Sequence, residues 1–458
     1  MADYKISRRH FFYGTLLAGA IPAAGFGSVA SLKRLGFKSP NEKLNIASIG
    51  AGGKAASDIS GCSRAGENIV ALADPDAKRA EQTFKRLEKV PKFKDFRQML
   101  DKEGKNIDAV IVAIPDFMHA TAAMWAMERG KHVYVQKPLT RTIWEARLLA
   151  AAAEKYKVAT QMGNQGYCQE GSRQVSEVIW SGEIGNVTEV HAWTNRPIWP
   201  QGIKELPKEE KVPETLDWDT WLGIAAPRPY SSAYLPHNWR GWFDFGCGAL
   251  GDMACHVLGA PNMALRLTAP TSVEVLKQEN RNPYTFPTLS LTRFDFPARG
   301  AMPAVKLFWH DATKEPPVRP AGVPEDEPLG DFADRQGKRT YSSGVLFIGE
   351  KGALTCGEYG GNPRLVPAAR MKDYKFPPQL LSRTPETYRD WIRACKGGDP
   401  AASNFSVAGP FTEWILLGCV ALNFEGKLDW DSARMKFTNR PEANKYIKPK
   451  VRKGWKIA

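Results

Sequence analysis

Leu44-Asn45-Ile46-Ala47-Ser48-Ile49-Gly50-Ala51-Gly52-Gly53-Lys54-Ala55 decides the fold. The run from Leu44 to Ile49 reads as a short buried strand, and it passes straight into a G-x-G-x-x-A turn. Gly50 permits the tight turn, and Gly52 lets the backbone approach a pyrophosphate. Ala55 lets the following helix pack closely on the strand, with its N-terminus facing the phosphate charge. A second strand over 68–73 ends at Asp74, 22 positions after Gly52. An acid there holds a ribose 2′-hydroxyl and repels a 2′-phosphate, which favours NAD over NADP. Lys78 and Arg79 are the basic residues close enough to weigh the other way.

A further strand over 107–114 leads to Pro115-Asp116-Phe117-Met118-His119. The next helix runs to Arg129-Gly130-Lys131, and the strand 133–135 ends in Gln136-Lys137-Pro138-Leu139. Strands alternating with helices imply a parallel, doubly wound sheet with ligands at the strand C-terminal ends. Lys137 therefore lies where chemistry is expected, beside a nicotinamide.

Gly50-Ala51-Gly52, the Pro115-Asp116…His119 turn and Gln136-Lys137-Pro138-Leu139 together resemble the glucose–fructose oxidoreductase / inositol dehydrogenase (Gfo/Idh/MocA) family. The family usually has Glu-Lys-Pro, so Gln136 is a departure. Gly246-Cys247-Gly248-Ala249-Leu250-Gly251-Asp252-Met253-Ala254-Cys255-His256 is similar to the family's glycine-rich helix entry with Asp-x-x-x-His, although the Asp often found three residues later is Gly259 here. At i and i+4, Asp252 and His256 share one helical face. The resemblance implies a Rossmann NAD-binding domain over 42–163. It also implies a C-terminal α/β domain over 164–458 with a large, open, mostly antiparallel sheet, whose last helices pack back on the first domain. Gly50, Gly52, Gly53, Asp74, Pro115, His119, Gln136 and Lys137 are the implied cofactor contacts. In the implied catalysis His256 removes a hydroxyl proton, Lys137 favours the developing alkoxide, and Asp252 orients His256 or holds a neighbouring hydroxyl.

Residues 164–250 carry Tyr167, Trp193, Trp199, Trp218, Trp221, Tyr230, Tyr234, Trp239 and Trp242. Rings interleaved with hydrogen-bonding side chains suit a carbohydrate, whose C–H faces stack while its hydroxyls find polar partners. Asn164, Gln165, Tyr167, Arg196, His237 and Arg240 are the candidate substrate contacts. Strands are expected over 272–278, 289–296, 304–310 and 345–348, helices over 384–395 and 409–422, and a Pro- and acid-rich surface excursion over 311–336. The resemblance implies a homodimer or homotetramer through the large sheet.

The chain's 458 residues carry 63 Lys+Arg against 49 Asp+Glu, a formal charge of +14, with 43% apolar positions. That is too apolar for a disordered chain. Seven cysteines without a CxxC pair exclude a dense disulfide scaffold and a zinc ribbon, and seven histidines without paired spacing offer no metal site. Nucleic acid and an integral membrane domain are not expected. Ser7-Arg8-Arg9-His10-Phe11-Phe12, a Gly/Ala-rich apolar run and Ser28-Val29-Ala30 look like a twin-arginine export signal within 1–38. Export implies a periplasmic or envelope location, with no nicotinamide pool to reoxidise NADH. The expected function is an NAD-dependent oxidoreductase of a secondary hydroxyl on a sugar or glycoside, with tightly bound, recycled NAD. The alternatives are a glycoside hydrolase running an oxidation–elimination–hydration–reduction cycle on the same NAD, and a non-catalytic NAD-retaining sugar-binding protein. The hydrolase would need an extra acid/base, for which Tyr167, His237 or Tyr234 are candidates by type.

Overall fold

The computed structural model describes residues 42–313, 316–330 and 343–457. The expected export signal lies outside them. The first sheet orders its strands β3-β2-β1-β4-β5-β6: β1 (Asn45–Ile49), β2 (Asn68–Ala73), β3 (Lys92–Phe93), β4 (Ala109–Val112), β5 (His132–Val135) and β6 (Thr160–Met162). Every pairing in it is parallel. Helices α1 (Lys54–Arg64), α2 (Ala77–Arg86), α3 (Phe96–Glu103), α4 (His119–Met127) and α5 (Ile143–Tyr156) connect the strands. The strands read as apolar runs because helices bury both faces: all four residues of β4 and of β5 are buried. β4 is shorter than the expected 107–114, because Ile107 caps the preceding turn and Pro115 stops the ladder.

After α6 (Glu170–Trp180) the chain enters β7 (Val187–Thr194), a strand not singled out in the sequence. Next come α7 (Trp218–Leu222), α8 (Gly248–Val257) and α9 (Gly259–Ala264). The remaining strands are β8 (Ser272–Glu279), β9 (Leu289–Phe296), β10 (Val305–His310), β11 (Ser343–Gly349), β12 (Gly352–Cys356), β13 (Arg364–Val366), β14 (Gly426–Asp431) and β15 (Lys436–Phe437). With β7 they form one nine-stranded sheet, β13-β12-β11-β7-β10-β9-β8-β14-β15. Only β7 and β10 pair in parallel. The alternation along β9 is that of a sheet with one covered face: Phe294 and Phe296 are buried, and Phe294 meets Trp414 at 5.4 Å between ring centroids.

Trp414 belongs to α11 (Phe405–Ala421), which follows α10 (Thr387–Cys395). α11 begins four residues before its expected start. The Asn404 side chain accepts from Ser406 N, and Pro410 stands inside the helix without ending it. α10 packs against α1, where the Tyr388 ring lies on Gly61. The segment after β10 is also more than a surface excursion. Val323 and Leu329 are buried with Trp193, Leu346, Ala353 and Val366, so its described part adds a small core to the outer side of the sheet. Among the described residues no helix is long and apolar enough to cross a membrane.

Candidate active site

The loops at the C-terminal ends of β1, β2, β4 and β5 form one wall of a cavity of about 360 Å³, and α8 with the segment 213–246 forms the other. Gly50 has φ +94°, and a β-carbon there would strike the Ala113 carbonyl oxygen, so this tight turn admits only glycine. Asp74 accepts from Ala51 N at 2.8 Å, Gly52 N at 3.3 Å and Asp76 N at 3.0 Å. Burial pushes its carboxyl up to about 6 against those bonds. Turn, helix N-terminus and acid line one groove in the order a dinucleotide needs, so the residues present fit that group.

At the other end, Lys137 Nζ donates to Asp252 Oδ1 at 2.9 Å and to its carbonyl oxygen at 3.0 Å. Arg240 Nε donates to the same Oδ1 at 3.1 Å. Although burial opposes its charge, Asp252 is held well below the usual carboxylate range by Lys137 and Arg240. Asp252 thus braces Lys137 and Arg240, a role the sequence does not single out. His256, one turn on, faces the cavity and meets the Tyr359 ring at 4.9 Å. Burial and the Lys137 charge push its imidazole well below its ordinary value, so it is neutral at pH 7, and its Nδ1 has no hydrogen-bond partner among the described residues. A neutral imidazole beside an ammonium is what removal of a hydroxyl proton requires.

Gln165, His237 and Arg240 line the cavity, as do Gly50, Gly52, Gly53, Pro115, Gln136 and Lys137. Four expected contacts do not. His119 is buried, with Nδ1 at 2.8 Å from the Pro138 carbonyl oxygen and Nε2 at 2.8 Å from that of Ile114. It ties the ends of β4 and β5 together instead of touching a cofactor. Tyr167 is in the core, its hydroxyl accepting from Asn262 Nδ2 at 2.5 Å. Asn164 is buried against the Cys255 carbonyl oxygen. Arg196 lies outside the wall, though its charge acts on His256 and Tyr359.

The aromatic load is mostly scaffold. Trp218 stacks on Trp221 at 4.8 Å, while Tyr230, Tyr234 and Phe245 close around them. Trp221 and Trp239 alone of the nine aromatics reach the cavity. Tyr359 and Asp116 line it too. Asp116 Oδ2 is buried with no hydrogen-bond partner among the described residues, and burial pushes the carboxyl up to about 7. Tyr359 had no local signal, coming from the β12–β13 loop 103 residues after His256.

Gln136 Nε2 donates to Asp58 Oδ2 at 2.8 Å, and buried Asp58 also accepts from Tyr388 and pairs with Lys54. The carboxylate missing at 136 thus stands on the facing helix α1. Gln136→Glu would set two carboxylates in contact, forcing them to share a proton whose folded pKa exceeds its unfolded one. Stability would then be lost as pH rises through that value. The expected result is a melting temperature that falls between about pH 5 and pH 8 in the variant, restored by adding Asp58→Asn. A variant melting like the parent at both would refute this account of Gln136.

Fold and cavity together define a two-domain dinucleotide-binding protein of the oxidoreductase type. The comparisons make this specific. Residues 44–164 match the family described as "Oxidoreductase family, NAD-binding Rossmann fold", and 174–285 match its "C-terminal alpha/beta domain". The chain belongs to the Gfo/Idh/MocA oxidoreductase family. It is 34% identical over 123 residues to scyllo-inositol 2-dehydrogenase (NAD(+)) of Bacillus subtilis, covering 26% of this chain and 34% of that protein. It is 29% identical over 201 residues to a glycosyl hydrolase family 109 protein of Solibacter usitatus, covering 40% of this chain and 44% of that one. The matches thus span less than half the length of either relative. The fold is similar to that of WlbA dehydrogenase from Bordetella pertussis, solved with NADH and UDP-GlcNAcA (TM-score 0.58, 14% identity, 85% of this chain and 99% of that one).

Proposed function

We propose that this chain oxidises a secondary hydroxyl of a sugar or glycoside with an NAD that it retains, that the hydride is then returned to the carbonyl of a second sugar so that the cofactor is recycled, and that it prefers NAD to NADP. The observation that carries the reading is a cavity lined by the glycine turn and Asp74 at one end and by Lys137 and His256 at the other, with Asp252 holding Lys137 from behind. The bound nicotinamide supplies a place for the hydride to go and to come back from. Lys137, fixed by Asp252, hydrogen-bonds the reacting oxygen, and neutral His256 takes its proton. Retention is supported by the segment 213–246, which crosses the groove and is sewn to the β2–α2 turn by Ala77 N to Thr215 O and Asp217 N to Pro75 O, both 2.9 Å. Phe117 of the β4–α4 turn packs on Trp221 and Phe245 of the same segment.

The family 109 relative favours one further reading, glycoside cleavage through transient oxidation. Ketone formation acidifies the neighbouring C–H, elimination expels the aglycone, water adds, and reduction closes the cycle. Of the three extra acid/base candidates only His237 reaches the cavity; Tyr167 and Tyr234 are core residues. Export through the Arg8-Arg9 signal belongs to this proposal, and secretion unaffected by Arg8→Lys with Arg9→Lys would remove it. So does self-association through the outer face of the nine-stranded sheet, where Leu291, Phe308 and Ile348 are half-buried; monomers in light scattering would remove that.

The test begins with denaturing protein purified without added nucleotide and assaying the supernatant for NAD(H). The native enzyme is then given inositols, free sugars and aryl glycosides. Retained NAD with a product and no net NADH is the expected outcome; empty protein that consumes added NAD stoichiometrically would overturn recycling. Because His256 is held well below its ordinary value of 6.5, the acid limb of kcat/KM is expected below pH 6.5. A limb at or above that value would mean that another group takes the proton.

A further inference from the structure

Arg79 lies on the rim of the dinucleotide groove, folded down over the glycine turn. A β-carbon at Gly52 would come within 2.5 Å of Arg79 O and 2.6 Å of its Cγ, and one at Gly53 would strike Nη2. Lys54, the other cation at this turn, is neutralised by Asp58, whereas Arg79 forms no ion pair among the described residues. A guanidinium laid across the loop that receives a pyrophosphate, with its charge unspent, is a ready anion clamp.

What Arg79 touches is on the far bank. Its Nη2 lies 3.4 Å from His237 Nε2, and His237 Nδ1 lies 3.2 Å from Arg240 Nη1. Arg240 in turn holds Asp252, which holds Lys137. The imidazole thus stands between two guanidiniums, and burial with their charges pushes its pKa down, leaving it neutral, with one ring nitrogen able to accept from one guanidinium at a time. The backbone beside each residue is anchored: Asp76 heads the turn paired to Leu216, and Trp239 is buried.

We infer that Arg79 and His237 form a clasp over the dinucleotide groove, in which Arg79 binds the pyrophosphate and His237 positions Arg79 for it. This rests on the proposed retention of NAD and names the residues that enforce it. A dinucleotide cannot leave until the guanidinium swings off, and His237 on the crossing segment resists that swing.

The test is the release rate of labelled NAD from loaded protein, chased with excess unlabelled NAD. Arg79→Ala should release about tenfold faster, the loss of roughly one charge-assisted hydrogen bond. His237→Ala should release severalfold faster, His237→Gln, which keeps an acceptor, should return toward the parent rate, and the double alanine variant should match Arg79→Ala. Single variants releasing like the parent, or effects that multiply in the double variant, would overturn the clasp. The two readings separate cleanly. Protein that purifies empty yet shows this pattern keeps the clasp and loses retention. Protein that purifies loaded but releases equally in all variants keeps retention and loses the clasp.

Discussion

His256→Ala is expected to lower kcat/KM by about 10³ while leaving nucleotide content unchanged. The side chain projects from α8 into the cavity, its Nδ1 makes no hydrogen bond among the described residues, and burial keeps the ring neutral. Removing it deletes the proton acceptor without breaking any bond the fold uses. Its ring packs edge-on to Tyr359 at 4.9 Å, so the remaining cost is a small void. The measurement is steady-state kinetics paired with the NAD content of the denatured protein. A fall of less than tenfold would show that His256 is not the base, and lost nucleotide would make its role structural.

Asp252→Ala should have the larger effect on the molecule as a whole. It strips the shared counter-charge from Lys137 and Arg240, whose side chains are only 14% and 21% exposed. Breaking a buried pair costs about 3 kcal/mol, here toward the low end because both cations keep some water. Freed from Asp252, Lys137 would lose its fixed direction and Arg240 its hold beside His237, so kcat/KM should fall by about 10² or more. Denaturant melts and kinetics on one preparation test both halves. Asp252→Asn, which keeps the shape and one acceptor, should recover part of the stability but little of the rate. Parent-like stability in Asp252→Ala would mean that the ion pairs contribute nothing.

The Rossmann half and the cluster of Lys137, Asp252 and His256 were legible because their chemistry is local. A glycine turn, an acid at the next strand end, a Lys at a later one and an i, i+4 pair on a helix each leave a mark within a few residues. The groups that close the site are not local. Tyr359 arrives on a β-hairpin loop, and Asp58 stands in for the absent carboxylate at 136 only because α1 faces the end of β5. His119 was drawn in by the family resemblance of its turn, yet its ring lies against two backbone carbonyl oxygens. Of the aromatics singled out in 164–250, composition could not say which would reach the cavity, and only Trp221 and Trp239 do. Composition cannot separate rings that face a ligand from rings that hold an irregular crossing segment together, and Trp218, Tyr230, Tyr234 and Phe245 do the latter.

The most direct test of the central claim is a single-turnover experiment on loaded protein without free nucleotide. It follows the near-ultraviolet absorbance of reduced nicotinamide after mixing with a sugar panel, with the reacting C–H replaced by C–D. The account predicts a transient rise that returns to baseline once an acceptor sugar of the panel takes the hydride back, slowed by deuterium and missing in His256→Ala. Product formed with no such transient and no isotope effect would contradict it.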